Sequence, residues 1–207
     1  MGNDFGHAHD GISVGVRTAL EESGFGTTRW TVERWDEEQT AWAMKRLALR
    51  SIPPELTDKV FHAVRVKPYA VTEVVGNLIT NAGWTRLMNL LTNQGATQAM
   101  DATHTRIGVG DSNTAETYAD TAFGATTNKL YKLVSGAGTL GTRTLAFSAT
   151  FGTSDANWAW NEFGLDIGAT ADSTTVAACF FNHKAGIAQG TKASGQTWTA
   201  TATLTFT

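Results

Sequence analysis

From Thr197 to Phe206 the chain alternates without a fault. Trp198, Ala200, Ala202, Leu204 and Phe206 are apolar, and the positions between them are threonines. A period of two marks a β-strand with one buried face and one wet face. Here the wet face carries hydroxyls instead of charges. A terminal strand frays unless it is tied down, so this one is expected inside a sheet. Residues 144–151 repeat the pattern, with Leu145, Phe147, Ala149 and Phe151 on the inward side. Strands are predicted at 105–110, 128–134, 143–151, 158–167, 175–183 and 197–206, with turns rich in Gly, Ser, Asp and Asn between them. That spacing is the pattern of an antiparallel β-sandwich, jelly-roll-like in character. The alternation breaks once. Trp158 and Trp160 share one parity and Phe163, Leu165 and Ile167 the other. A β-bulge near Asn161 and Glu162 would reconcile them.

The first hundred residues read differently. Residues 1–29 hold six glycines and no sustained periodicity, the mark of an extended arm. Phe5, Ile12, Val14, Val16, Leu20 and Phe25 suggest that this arm is ordered by contact with a neighbour. Residues 31–50 read as a helix. Asp36, Glu37 and Glu38 come early and Lys45, Arg46 and Arg50 late, which complements the helix dipole, and Pro53 and Pro54 stop it. Its apolar residues spread over more than one face, which suggests a second contact surface. Residues 58–67 read as a strand, with Val60, His62, Val64 and Val66 on one side. Residues 81–94 give the clearest helix, with Trp84, Leu87, Met88 and Leu91 at i, i+3, i+4 and i+7. Asn81 is the expected N-cap and Gly95 the expected C-cap.

Charge sharpens the division. Residues 1–100 carry 21 of the 35 charged side chains, and residues 101–207 carry 14 together with 22 threonines. The predicted organisation is an arm (1–30), a helix-strand-helix attachment region (31–100) and a sandwich (101–207). A net charge of -3 provides no footprint for nucleic acid, and no apolar run reaches the roughly 18 residues of a membrane span. The N-terminus lacks the basic and apolar regions of a signal peptide. A single cysteine, Cys179, excludes an intramolecular disulfide framework and reads as a small buried hydrophobe.

Candidate chemistry is sparse. His7 and His9, on one side of an extended segment, are the only pair resembling a metal constellation. Three copies could bring six nitrogens to an axis, but a solvated arm is the plainer reading. Of the other histidines, His62, His104 and His183, none falls in a ligand spacing. The stretch from Gly108 to Asn113 lacks the lysine and the following helix of a phosphate loop. It is expected to be a strand end entering a turn. Ser112, Ser135, Ser148 and Ser154 lack a nucleophile-elbow context. Asp155, Asp166 and Asp172 read as ordinary strand and turn acids. Glu162 stands out, because a carboxylate in so apolar a strand needs a backbone turn or an arginine. It is expected to be a structural fastener. No catalytic residue, cofactor or metal is assigned.

Several segments in order carry a resemblance. They are Gly83–Leu91, Thr105–Ser112 with its Ile-Gly-Val-Gly, Asp120–Phe123, Phe147–Phe151 and Trp160–Leu165 with its Asn-Glu-Phe-Gly. This order resembles structural proteins of tailed bacteriophages, auxiliary head and tail-appendage proteins that share a β-sandwich. The segment Gly6–Gly11 is similar to sequences near the start of phage fibre proteins. The likeness covers about residues 80–207 and implies a non-enzymatic virion protein. The expected partners are copies of itself, as a trimer, and the major capsid protein or another virion protein, with neither nucleic acid nor membrane. Capsid decoration is the leading expectation. A tail-fibre or baseplate role remains open. So does a carbohydrate-binding module using Trp158, Trp160 or Trp198 as a platform, although the parity of Trp198 favours core.

Overall fold

The computed structural model describes residues 26–49, 57–94 and 98–206. The strands are β1 (Thr27–Trp35), β2 (Ala70–Val75), β3 (Leu78–Ile79), β4 (Thr105–Gly110), β5 (Lys129–Leu133), β6 (Thr139–Leu140), β7 (Thr144–Phe151), β8 (Glu162–Ile167), β9 (Cys179–Ala185) and β10 (Thr197–Thr205). The helices are α1 (Glu37–Leu49), α2 (Asp58–Ala63) and α3 (Asn81–Thr92). Two antiparallel five-stranded sheets form, ordered β2-β1-β10-β7-β6 and β3-β9-β8-β4-β5. The molecule is mainly β and is a sandwich of these sheets.

Period-two patterning explains which side chains meet between them. Trp198, Ala200, Ala202 and Leu204 of β10 join Phe147, Ala149 and Phe151 of β7 in one core cluster. Ile107, Val109, Phe163, Leu165 and Ile167 enter it from the second sheet. Trp30 stacks on Phe163 across the gap, with ring centroids 5.0 Å apart. β10 does lie inside its sheet, paired with β1 over residues 27–35 and with β7 over residues 144–151.

Several expectations are corrected. Thr31–Trp35 is the second half of β1 and not the start of a helix, and Thr27–Trp30 belong to the same strand and not to an arm. Trp30 and Val32 alternate inward opposite Ala202 and Ala200, so pairing with β10 decides their conformation. Residues 58–63 are helical, not extended. There Phe61 packs with Trp35, Ala43, Leu47 and Val64 in a second, smaller core. Trp35 and Phe61 stack at 4.2 Å. The line expected near residues 95–101 does not separate the sheets, because β1, β2 and β3 precede it and each pairs within them.

Helix α3 forms where expected, but Thr80 caps it, accepting from the Gly83 N–H, and Asn93 ends it in the left-handed region. Its apolar stripe faces the body only in part, with Trp84 and Leu87 half-buried. Leu91 is 76 % exposed and Met88 45 %, whereas Gly83 and Arg86 are buried and Leu87 is half-buried against the main core. The reason is closeness. A Cβ on Gly83 would lie 2.1 Å from the Phe181 carbonyl oxygen, so the helix rests its backbone on β9.

The bulge lies elsewhere too. Register shifts between Leu165 and Asp166 of β8, opposite β9. Trp158 and Trp160 precede β8 and touch it through no ladder; Ala159 makes an isolated bridge to Thr191. The segments expected to hold His7, His9, the Pro53–Pro54 stop and Gly95 lie outside the described residues.

Candidate functional site

Charged groups gather on the outer face of the second sheet. Alternation puts Arg106, Gly108 and Gly110 of β4, and Glu162, Gly164 and Asp166 of β8, on the side away from the main core. Gly108 faces Gly164 across the ladder. The loop joining β4 to β5 crosses this face. Phe123 from that loop lies over the two glycines, where Cβ atoms would approach its ring to 2.7 and 3.0 Å. It stacks on Tyr131 at 4.9 Å and meets Phe180 edge-on at 5.2 Å. A third small core results.

Three acidic side chains hold this loop to the sheet, and a fourth, Asp166, fastens the connection between β8 and β9. Glu162, fully buried, accepts hydrogen bonds from the Gly124 N–H at 2.9 Å and the Ala125 N–H at 3.4 Å. It is thus fastened by a backbone turn, one of the two partners anticipated for it. Asp120 in the loop accepts from Thr117 and lies 2.6 Å from Nδ1 of His183. Nε2 of that imidazole faces Glu162 at 3.7 Å, a charge contact too long for a hydrogen bond. Glu116 accepts from Lys184 and from the Ala185 N–H. Asp166 pairs with Arg106, whose guanidinium also donates to the Ala171 and Thr175 carbonyls.

The electrostatics follow from these contacts. Burial alone would lower the His183 pKa, but the facing carboxylates of Glu162 and Asp120 outweigh it and raise it. Burial would raise the Asp120 pKa, yet hydrogen bonds from Thr117 and His183 hold it below the usual carboxylate value. The cluster is a carboxylate–imidazole–carboxylate seam, buried at Glu162 and His183 and partly exposed at Asp120. Its chemistry is proton-linked fastening. The nearby Ser112 hydroxyl is engaged with Thr114 instead.

At the other end, Asp155 and Asp172 both pair with Lys132, at 2.8 and 2.9 Å. Lys192 is fully buried and donates to the Gly152 carbonyl and the Asn157 side chain. Burial pulls its pKa down to about 8. Cys179 is a buried free thiol, as expected. Gly110 closes β4, as expected, but the chain then runs as an irregular loop to a turn at residues 118–119. Among the described residues no group of His, Cys, Asp and Glu could hold a metal ion, and no helix is long and apolar enough to cross a membrane.

The first sheet presents a different surface. Ser148 bonds Thr201 at 2.7 Å and Thr150 bonds Thr199 at 2.9 Å, a ladder of hydroxyls across β7 and β10. Half of this face is not wet. Thr197 and Thr199 are fully buried. Thr197 is the register partner of Trp35, on which α1 and α2 pack. The other half is partly open around Thr31, Thr201, Ser148 and Thr203, with the exposed Arg29–Glu73 ion pair beside them and Val71 and Val75 on the edge strand β2. Those valines are 52 % and 57 % exposed. Of the three tryptophans considered as a sugar platform, Trp160 and Trp198 are core, packed edge-on at 4.9 Å. Trp158 is half-buried against the same cluster.

Arg106, Asp120 and His183 were not singled out from sequence. Arg106 offered the same signal as Glu162, a charge in an apolar strand. Nothing local ties it to an aspartate 60 residues away. No known protein family, curated protein or solved structure matches this chain.

Proposed function

We propose that this chain is a non-enzymatic structural protein of a tailed-bacteriophage virion. In this reading it decorates the capsid shell and clusters with copies of itself as a trimer. The observation that carries it is the open half of the first sheet. Hydroxyls of Thr31, Thr201, Ser148 and Thr203 share this face with the exposed Arg29–Glu73 ion pair, whose charges cancel, and with the exposed Val71 and Val75 on the edge strand. A surface that meets its own copy does best with groups that do not repel themselves, and hydroxyls, valines and an Arg29–Glu73 pair that cancels its own charge satisfy that. Many weak contacts of this kind gain strength from a lattice without tight single-site binding. The ordered motifs from Gly83 to Leu165 support the same reading. A tail-fibre or baseplate position uses the same features with a different neighbour.

The test is to purify particles from a host producing the chain, quantify it by mass spectrometry and locate it by immunogold labelling. Decoration predicts many copies per particle, labelled on the head, and a trimer mass for the free protein in light scattering. Label confined to tails would reassign it to an appendage. Absence from purified particles would remove the virion reading.

A further inference from the structure

A cleft of about 440 Å³ opens between α3 and the start of β9. Arg86 lines it, 8 % exposed, and its Nη1 donates to the Gln98 carbonyl at 2.9 Å. Among the described residues no carboxylate forms an ion pair with this guanidinium. Its other neighbour in the wall, Cys179, does not supply the missing charge. Burial pushes that thiol pKa up despite the opposing pull of Arg86, so the thiol stays neutral. A cation this far out of water is costly without a counter-ion, and a guanidinium has five donors to offer one.

The rest of the wall narrows the chemistry. Asn81, Asn89 and Gln98 contribute side-chain amides, each both donor and acceptor. Groups that donate and accept at once match sugar hydroxyls. Ala82 and Ala178 add small apolar surface for a ring face. There is one positive charge, which suits a monocarboxylate better than a phosphate dianion. The volume is that of a small-molecule site and far exceeds what a simple anion fills.

We propose that this cleft binds a hexuronic acid unit, with its carboxylate on Arg86 and its hydroxyls on the amides of Asn81, Asn89 and Gln98. The inference does not rest on the virion reading, since a free or polymeric acidic sugar would present the same unit.

The experiment is a titration of the full chain, ¹⁵N-labelled, with glucuronic acid, glucose and acetate in parallel, followed by ¹H–¹⁵N spectra. Glucuronate is expected to shift Arg86 Nε–H and the side-chain amides of Asn81, Asn89 and Gln98 together. The dissociation constant should be on the order of 1 mM, which ordinary per-atom efficiencies give for a ligand of this size. Glucose and acetate should each bind at least about tenfold more weakly, the tenfold step being 1.4 kcal/mol. Arg86→Gln could unfold the chain, so the decisive variant is Asn81→Asp. Asn81 is exposed in the first turn of α3, where an aspartate suits the helix. Asn81→Asp should keep the melting temperature and lose glucuronate binding at least tenfold. Acetate saturating the same signals at the same concentration would reduce the cleft to an anion site and overturn the proposal. So would equal binding of glucose, no shifts with glucuronate, or undiminished binding by the folded Asn81→Asp protein.

Discussion

His183 shows how much one residue's neighbours can change its meaning. In sequence it is a histidine between Asn182 and Lys184, just after an apolar run. In the fold it is almost fully buried between Asp120 and Glu162. Its folded pKa lies above the ordinary value, so the native state binds the proton more tightly than the unfolded chain does. That stability is fully present below the unfolded pKa of about 6.5 and is lost as pH rises through the folded value. Asp120 and Glu116 have the opposite sign. Burial opposes them, but hydrogen bonds keep their pKa values low, so their contribution is present above the ordinary carboxylate value and is lost as pH falls through the folded one. The loop carrying Phe123 is therefore held best on the mildly acidic side of neutrality. Unfolding free energies from urea titration should fall between about pH 6 and pH 7.5, with a slope of at most about 1.4 kcal/mol per pH unit for one proton, before the depressed Lys192 pKa of about 8 adds an opposing rise. His183→Asn should flatten that slope. An equal slope in the variant would show that the seam is not its source.

At the scale of elements, α3 separates patterning from packing. Its sequence stripe is Trp84, Leu87, Met88 and Leu91, of which Met88 and Leu91 are exposed, while its close contact with β9 is made by Gly83. Gly83→Ala decides between them. Alanine gains up to about 1 kcal/mol of helix propensity, so an unpacked helix would be stabilised. Here the new Cβ meets the Phe181 backbone at 2.1 and 2.9 Å, and backbone cannot swing aside. The expected result is a net loss of about 1–3 kcal/mol in urea unfolding. Leu91→Ala should change stability by less than about 0.5 kcal/mol. A stabilised Gly83→Ala protein together with a damaged Leu91→Ala protein would restore the stripe as the buried face. Similar logic explains β1. Residues 27–35 alternate, but the acids and bases that follow look helical, and only the ladder to β10 separates strand from helix at Trp35.

For the whole molecule, the sandwich draws on both ends of the chain. β1 fills one side of β10 along nine register pairs, and Trp30 and Val32 contribute to the main core. β3 and α3 border β9. A fragment of residues 101–207 would leave β10 with an open edge and strip Phe163 of its stacked partner. It is expected to show no cooperative melting transition by circular dichroism. A fragment melting near the temperature of the full chain would show that residues 26–94 are an accessory and not part of the fold.

Alternation alone determined the strands of residues 144–151 and 197–205 and which of their side chains face inward, and turn spacing marked the strand at 105–110. A period of two over six or more residues is a local property, legible without knowing what lies opposite. The need of Glu162 for a fastening partner was equally legible, because a buried carboxylate has few alternatives. Only the tertiary structure decided that residues 58–63 coil into a helix. In so short a window the two periods cannot be told apart, and the pocket under Trp35 sets the outcome. It also decided the partners. Glu162 and Asp120 lie 21 and 63 residues before His183 along the chain, and the three meet because β8 pairs with β9 and the loop after β4 folds back over both. Arg86 reaches its cleft for a similar reason. A glycine one turn before it lets the helix settle on β9, and no pattern of hydrophobic and polar positions records that contact.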